Sequence, residues 1–244
     1  MGSIEASPLA RLRRDGIVHP FGRIDVAPIL LHLADKTVWN AHVRAKASAS
    51  APLQDVLRAR RWAAFAHSLH DIVRAPVFLE AALALRPLAE EYFGEEPVLY
   101  SMNAFWTQPA MGDLYADTHD WHRDTDDRKQ LALFVYGTDI PAWDDGAHLY
   151  QPGTHNAGTV GNAQAFPVMG DAGTAFLCDP SGLHMGVRPT RTARLFMWAR
   201  WGVSTPPDAY KWDQLEPIPA AALGDRVAKI DPVGRRAIRF LVQP

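Results

Sequence analysis

Apolar residues in the N-terminal part of the chain have helical spacing. Across residues 53–93 they recur at intervals of three and four positions, which is typical of amphipathic helices. Pro76 and Pro87 divide this segment into two or three helices, because proline lacks the N–H that a helix interior requires. Shorter helices are predicted for residues 9–17 and 27–33.

Beyond Pro97 the pattern changes to short apolar runs of strand length, rich in aromatic and β-branched residues. The predicted strands cover residues 98–107, 131–136, 174–177 and 194–202. Gly- and Pro-containing turns separate them, as at Asp145-Gly146 and Pro152-Gly153. Many short strands joined by such turns predict a sandwich or barrel such as a jelly roll.

We expect one domain, because no internal repeat, low-complexity segment or clean boundary divides the 244 residues. A helical layer of about residues 1–95 is predicted to pack on a jelly-roll core of about residues 96–204. The C-terminal extension, residues 205–244, is predicted to contain a helix near residues 220–228. The fold class is therefore mainly β with a helical N-terminal layer.

The composition argues against several kinds of partner. The chain is 48% hydrophobic and 21% charged, with a net charge of -2, so nothing in its charge favours nucleic acid or an anionic membrane surface. No apolar run reaches the roughly 20 residues that span a bilayer, and no signal-peptide pattern is present, so a cytoplasmic location is the default expectation. A small-molecule substrate is the expected partner, and the oligomeric state stays open.

Cysteine usage restricts the kind of metal site. Cys178 is the single cysteine, which excludes an internal disulfide and a thiolate cluster. Any metal must therefore be held by His, Asp or Glu. Aspartate occurs 20 times against 7 glutamates, mostly after residue 110, and Asp favours turns, caps and metal sites.

The segment HDWHRDTDD, residues 119–127, is rich in His and Asp. On a strand, His122 and Asp124 would point to the same face and could bind one ion together. By itself the H-x-D spacing favours a solvated acidic turn over a metal site. It gains weight only from residues further along the chain.

His184 and Arg194 complete a candidate site. Two His and one Asp are the ligand set of non-haem Fe(II) oxygenases, which leaves three coordination positions open. An arginine in the same cavity could hold the far carboxylate of a dicarboxylic co-substrate through a bidentate pair. Arg200 lies on the same face of the last predicted strand as Arg194 and is the alternative for this role.

With these residues the chain resembles the phytanoyl-CoA dioxygenase-like group of Fe(II)/2-oxoglutarate oxygenases, over about residues 108–202. Trp121-His122-Arg123-Asp124 is similar to the family's W-H-x-D. Asp145-Gly146 and then Pro152-Gly153-Thr154-His155 resemble its glycine turn and P-G-S-H element, with Thr154 in place of serine. Gly170-Asp171, His184 and Arg194 follow in the family's order. Several ordered elements are far more specific than any one of them.

The resemblance implies a double-stranded β-helix core with His122, Asp124 and His184 as ligands of Fe(II). It implies that Arg194 anchors 2-oxoglutarate and that Asn103, on the preceding strand, contacts it. O2 and 2-oxoglutarate would be consumed, succinate and CO2 released, and an unactivated C–H hydroxylated, with ascorbate supporting the reaction in vitro. Halogenating relatives have Gly or Ala at the aspartate, so Asp124 favours hydroxylation, desaturation or ring formation over halogenation.

Other residues are assigned roles outside the metal site. The predictions are that His119 points away from the metal, that His148 and His155 are structural, that Asp126 and Asp127 are solvated loop charges, and that His67 and His70 lie on the surface. Aromatic residues either wall the pocket or pack in the β core: Trp106, Trp121, Phe134 and Trp198.

Two other functions stay open at this point. A cupin-like metal enzyme would keep the metal and work without 2-oxoglutarate, whereas a non-catalytic jelly-roll binding module would carry the motif as a vestige. The sequence has no readable code for the substrate; a secondary metabolite or an amino acid is the expected class.

Overall fold

The computed structural model describes residues 6–40, 50–60, 62–109, 120–156, 164–203 and 217–243. The α-helices in these ranges are α1 (Pro8–Asp15), α2 (Ala27–Leu33), α3 (Leu53–Ala59), α4 (Leu69–Arg74), α5 (Phe78–Ala84), α6 (Arg86–Phe93), α7 (Arg226–Lys229) and α8 (Pro232–Ala237). Short 3-10 helices lie at Trp143–Asp145 and Ala220–Leu223. No helix in the described ranges is both long and apolar enough to cross a membrane.

The strands alternate with these helices and then continue beyond them. They are β1 (Ile17–Arg23), β2 (Thr37–Asn40), β3 (Ser50–Pro52), β4 (Ala64–His67), β5 (Val98–Thr107), β6 (Leu131–Tyr136), β7 (His148–Tyr150), β8 (Phe166–Val168), β9 (Thr174–Cys178), β10 (His184–Gly186), β11 (Arg194–Gly202), β12 (Ile218–Pro219) and β13 (Val242–Gln243).

Two antiparallel sheets form the body of the fold. The larger has eight strands in the order β1-β9-β6-β11-β5-β4-β2-β3, and the smaller has the order β10-β7-β8. Strands that are neighbours in space are mostly distant in sequence, as expected when a chain winds between two sheets. This arrangement confirms the predicted mainly β fold with a jelly-roll core of the double-stranded β-helix type.

Alternate side chains of the central strands belong to two different cores. In β6, Leu131, Leu133 and Val135 join the larger apolar cluster, which includes the helices, whereas Phe134 and Tyr136 join the cluster between the sheets. A strand buried on both faces has a continuous apolar sequence. β11 shows the same alternation. Leu195, Met197 and Trp201 pack on the helical side, whereas Phe196 and Trp198 face the interior of the sandwich.

Several boundaries agree with the sequence analysis. The predicted bounds are found for α2, β5, β6 and β11. β9 extends one residue further than predicted, to Cys178. Pro76 lies between α4 and α5 as predicted, but Pro87 lies in the first turn of α6 and begins a helix. Proline is tolerated there because the N–H it lacks has no intrahelical partner in any case.

The first 95 residues are not only helical, as the apolar spacing suggested. β1 to β4 come from this part of the chain and extend the large sheet at both edges. Residues 64–67 lie within the segment of helical spacing, yet they pair with β5 as β4. A short apolar run fits both the helical and the strand periodicity, and the presence of a neighbouring strand determines which structure it forms.

The prediction that His67 lies on the surface is wrong, whereas His70 is exposed as predicted. The His67 side chain on β4 is 4% exposed, and its Nε2 accepts a hydrogen bond of 3.1 Å from Trp106 Nε1. Burial lowers the pKa of His67 from its usual 6.5 to about 4. The imidazole is therefore neutral in the folded protein at neutral pH.

His67→Gln should flatten the dependence of stability on pH between about 6.5 and 4. The unfolded chain binds a proton on His67 in this interval and the folded protein does not, so stability is full above pH 6.5 and falls as the pH approaches 4. A shift from 6.5 to about 4 corresponds to roughly 3 kcal/mol at most. Chemical denaturation across this pH range measures the effect; glutamine can still accept from Trp106, and the exposed His70→Gln should leave the slope unchanged.

Candidate functional site

Backbone pairing brings His122 and His184 together from positions 62 residues apart. The two residues form an isolated antiparallel bridge: His122 N donates to His184 O at 2.9 Å, and His184 N donates to His122 O at 3.0 Å. Their ring centroids lie 4.2 Å apart. The pair is thus fixed by main-chain geometry before any metal is considered.

The hydrogen bonds of the rings determine which nitrogen is available as a ligand. His122 Nδ1 lies 2.8 Å from Asp120 O, and His184 Nδ1 lies 2.9 Å from Gly182 O. A carbonyl oxygen only accepts, so each neutral ring carries its proton on Nδ1 and keeps the lone pair on Nε2. A backbone carbonyl in this position commonly orients a histidine that binds a metal.

Asp124 completes the group. Its Oδ1 lies 3.8 Å from His122 Nε2 and 4.0 Å from His184 Nε2, and one ligand atom from each residue lies within 4.8 Å of the others. One ion can contact all three, because metal bonds to nitrogen and oxygen are about 2.0–2.2 Å long. The His184 side chain is 5% exposed and that of His122 is 29% exposed, so the site is buried on one side and open on the other.

Arg200 holds the second oxygen of the Asp124 carboxylate. Arg200 Nη2 lies 2.9 Å from Asp124 Oδ2, and Nη1 donates to Asp126 Oδ2 at 2.7 Å. The contact with Asp124 is an ion pair that lacks the alignment of a hydrogen bond. Because Oδ2 faces the guanidinium, Oδ1 is the oxygen directed at the two imidazoles.

The acidic residues after Asp124 are not solvated, contrary to the prediction. The Asp126 side chain is 19% exposed and lies between Arg200 and Tyr100, whose hydroxyl is 3.2 Å from its Oδ2. Asp127 Oδ2 accepts from Val203 N at 2.8 Å and so connects this loop to the end of β11. Both carboxylates belong to the support of the site.

Burial sets the protonation state of His184. It lowers the pKa of His184 to about 4, and the nearby Asp124 carboxylate opposes this shift only in part. The ring is therefore neutral at pH 7, which is the form that binds metals.

Arg123, which lies between His122 and Asp124, and Thr154 of the Pro-Gly-Thr-His turn hold the loop before His184. Arg123 Nη1 donates to Thr154 O and, at 2.7 Å, to Ser181 O. The Thr154 hydroxyl donates to Gln151 O at 2.6 Å and accepts from Leu183 N at 2.7 Å, with Thr154 fully buried. Thr154 thereby fixes the peptide immediately before His184.

Arg194 is a buried cation without a carboxylate partner in the described ranges. The residue is 5% exposed; Nη1 donates to Gly146 O at 2.8 Å and Nη2 to Thr107 Oγ1 at 3.3 Å, both neutral acceptors. Burial lowers the pKa of Arg194 to about 10, which still leaves it charged at pH 7. A buried, uncompensated charge is costly, so this position favours an anionic ligand.

Gly146 makes room for this arginine. Its φ of 104° lies in the left-handed region, and a Cβ there would be 2.8 Å from Arg194 Cδ. Any other residue would be strained and would collide with the arginine. The glycine of the Asp145-Gly146 turn therefore has a direct role in positioning Arg194.

His148 lies between the two sheets, next to the candidate metal ligand His184. Its ring stacks on His184 with centroids 5.3 Å apart and packs against Phe134 at 5.1 Å. Burial lowers the pKa of His148 well below its usual range, and the neighbouring His184 and Arg194 act in the same direction. Nothing in the sequence distinguished it from an ordinary strand residue.

Some of the other residues singled out in the sequence face the interior between the sheets, and the rest lie outside it. Asn103 is 7% exposed, donates to Ser101 Oγ at 3.0 Å, and pairs with Trp198 across β5 and β11. Phe134 and Trp198 face the interior, whereas Trp106 packs on the helical side and Trp121 is 40% exposed. His155 lies beside Gly16, outside the group of ligands, and His119 lies outside the described residues.

Comparison with known proteins supports the fold. No protein-family model and no curated protein matches the chain, so the specific resemblance to the phytanoyl-CoA dioxygenase-like family is not confirmed. Solved structures match at low identity. The non-heme alpha ketoglutarate dependent epimerase SnoN from nogalamycin biosynthesis has a TM-score of 0.56 and 21% identity, over 81% of this chain and 81% of that chain.

Two further structures match in the same way. The non-heme alpha ketoglutarate dependent carbocyclase SnoK has a TM-score of 0.54 and 15% identity, over 81% of this chain and 84% of that chain. AviO1 from Streptomyces viridochromogenes Tue57 has a TM-score of 0.51 and 18% identity, over 82% and 94%. At these identities the shared property is the fold. Fold and geometry together define a jelly-roll protein with a His-Asp-His group suited to a metal ion.

Thr154→Val should weaken metal binding, whereas Thr154→Ser should not. Valine matches the shape of threonine but leaves Leu183 N–H and Gln151 O without their partner, which costs about 1–3 kcal/mol of stability. The loosened His184 should reduce metal affinity roughly tenfold, the lower end for supporting residues of metal sites. Anaerobic titration with Fe(II) or Co(II) measures this; equal affinities in the two variants would exclude a positioning role for the hydroxyl.

Proposed function

We propose that the chain is an Fe(II)- and 2-oxoglutarate-dependent oxygenase that acts on a small molecule. The observation that carries the proposal is the presence of two complementary sites in one sandwich. Three ligand atoms converge on one point. Arg194, a buried cation without a carboxylate partner in the described ranges, packs on Phe196, which also contacts the His148 ring that stacks on His184. The first suits a divalent metal, and the second suits the distal carboxylate of a dicarboxylate.

The donor set fits iron. His122 Nε2, His184 Nε2 and Asp124 Oδ1 provide two imidazoles and one carboxylate, the combination that non-haem Fe(II) oxygenases use with open positions for other ligands. Bound iron, with 2-oxoglutarate and O2, would supply the oxidation of a substrate C–H with release of succinate and CO2. The residues of this chain bind, orient and shield these reactants.

Arg194 is the better candidate than Arg200 for anchoring 2-oxoglutarate. Arg200 is already paired with Asp124 and Asp126, and its displacement would release the carboxylate that serves the metal. Arg194 has only neutral acceptors in the described ranges. Its planar guanidinium can bind a carboxylate through two parallel hydrogen bonds.

We assign Asn103 to the wall of the same pocket. It pairs with Trp198, which lies between Arg194 and Arg200 on β11. Phe105 and Trp198 are half-buried on this face, with ring centroids 5.9 Å apart, and form an aromatic wall at which a substrate would lie.

The class of substrate is proposed to be a secondary metabolite, and the outcome to be hydroxylation. SnoN and SnoK belong to nogalamycin biosynthesis, and SnoN has been solved in complex with Fe3+, alpha ketoglutarate and nogalamycin RO. One is an epimerase and the other a carbocyclase. Initial removal of a substrate hydrogen is compatible with all three outcomes.

The purified protein with Fe(II), 2-oxoglutarate, O2 and ascorbate should release succinate, and His122→Ala should abolish this release. Loss of one imidazole removes a ligand whose Nε2 faces Asp124. Slow uncoupled turnover makes the measurement possible before the substrate is identified. His70→Ala, at an exposed position, serves as control; succinate release that is equal in wild type and His122→Ala would contradict the proposal.

Arg194→Met should weaken binding of 2-oxoglutarate to the anaerobic Fe(II) protein, followed by its visible metal-to-ligand band. Removing one partner of a buried charge pair costs about 2–5 kcal/mol, which is roughly 30-fold or more in Kd. Arg194→Lys keeps the charge without the planar fork and should be intermediate.

A monocarboxylate such as 2-oxobutyrate is the matched ligand control, because it lacks the distal carboxylate and should bind both proteins equally weakly. If wild type binds Fe(II) and gives no band with 2-oxoglutarate, a cupin-like metal enzyme without a co-substrate becomes the better explanation. If the protein does not bind Fe(II) at all, it is a non-catalytic jelly-roll module.

A further inference from the structure

Two buried histidines in the described ranges, His67 and His148, lie outside the proposed ligand group, and His148 is the one whose ring stacks on His184. Its ring is 3% exposed and lies between the sheets, in contact with His184 and with three phenylalanines. The ring centroids of Phe134, Phe176 and Phe196 are 5.1, 5.3 and 5.8 Å away. In such surroundings an aliphatic or aromatic side chain would pack equally well and would bring no polar atoms.

The Nε2 atom of His148 is buried and has no hydrogen-bond partner in the described ranges. A buried polar atom without a partner is unfavourable, and such atoms in folded proteins usually have a partner that the structure must account for. The nitrogen does not belong to the group of ligand atoms within 4.8 Å of one another. A fourth metal ligand is therefore not the explanation that the geometry favours.

Backbone hydrogen bonds determine the direction in which the His148 side chain leaves β7. His148 N donates to the Tyr136 hydroxyl at 2.9 Å, and that hydroxyl donates to Val168 O at 2.8 Å. β7 is also paired on both sides, with Gly186 of β10 and Val168 of β8 opposite His148. The side chain of His148 is consequently directed between the sheets, where its ring packs against His184 and Phe134.

This position lies between the metal ligands and Arg194. On one side the ring stacks on His184. On the other side it shares Phe196 with Arg194, whose Cζ lies 5.1 Å from the Phe196 ring centroid. Two residues before His148, Gly146 O accepts from Arg194 Nη1. A molecule that reached from the metal to Arg194 would therefore lie close to His148.

We propose that the Nε2–H of His148 donates a hydrogen bond to a carboxylate of 2-oxoglutarate bound between the metal ligands and Arg194. The inference rests on the proposed function and adds a third anchoring residue for the co-substrate. A carboxylate only accepts hydrogen bonds, so the imidazole presents it with a donor that the surrounding phenylalanines cannot supply. His148 thus contributes to the selection of 2-oxoglutarate and takes no part in holding the metal.

The test compares co-substrate affinity with metal affinity in His148→Phe and His148→Gln. Phenylalanine keeps the ring and its stacking but removes the nitrogen, whereas glutamine keeps a donor. The Kd of 2-oxoglutarate for the anaerobic Fe(II) protein, from the visible band and from calorimetry with Co(II) in place of iron, should rise about tenfold or more in His148→Phe. It should rise less in His148→Gln, and the Kd of Fe(II) should stay within about twofold in both.

His155→Phe is the matched control. Within the described ranges both ring nitrogens of His155 are also buried without a hydrogen-bond partner, but the residue lies beside Gly16 and makes none of the ring contacts seen there between His184, His148 and Arg194. Its substitution should leave the Kd of 2-oxoglutarate unchanged. Thermal unfolding of each variant establishes that it is folded, and His148→Leu replaces His148→Phe if the latter is not.

The outcomes separate this inference from the proposal on which it rests. If wild type does not bind 2-oxoglutarate, the proposed function fails. If wild type binds it and the variants without the nitrogen bind it equally well, the role of His148 is overturned while the proposed function stands. A loss of Fe(II) affinity that matches the loss of 2-oxoglutarate affinity also overturns the inference, because it assigns His148 to the metal.

Discussion

The pair of backbone hydrogen bonds between His122 and His184 is the constraint on which the site depends. These bonds of 2.9 and 3.0 Å join a loop that follows β5 to the start of β10. They place two imidazoles from distant segments side by side, and each ring then takes its proton orientation from a carbonyl two residues earlier. Since the main chain makes the pair, the side chains need little ordering when an ion arrives, which favours binding.

Charge is arranged around this pair with two arginines that differ in function. Arg200 is neutralised by Asp124 and Asp126 and thereby directs one carboxylate oxygen at the imidazoles. Arg194, on the same face of β11, is buried among neutral acceptors and has no carboxylate partner in the part of the chain that the structure describes. The cost of burying that charge is tolerated only if it is recovered elsewhere, and a dianionic co-substrate would do so. Under the proposed function, the row of His184, His148 and Arg194 between the sheets would give that ligand a defined orientation.

Much of the fold follows from patterns that are local in the chain. Apolar runs defined β5, β6 and β11, because strands buried on both faces need apolar residues at every position. The short strands β1 to β4 could not be found in this way: β4 spans four residues inside a segment of helical spacing, and it is a strand because β5 offers it hydrogen bonds. In so short a segment the intrinsic strand propensity has little influence on the secondary structure, and pairing with a neighbouring strand determines it.

For the site, the sequence by itself determined the residue types of the candidate metal ligands, their order along the chain and the turn at Asp145-Gly146; that Gly146 makes room for Arg194 is visible only in the folded protein. The sequence placed Arg194 first for the anchoring role and Arg200, on the same face of the strand, as the alternative; in the folded protein Arg200 is paired with Asp124 and Asp126, whereas Arg194 has neutral acceptors in the described ranges. It also placed Asp126 in solvent and His67 on the surface. Those errors share one cause: whether a polar group is solvated, paired or left without a partner depends on neighbours that only the folded sheets bring within a few ångströms.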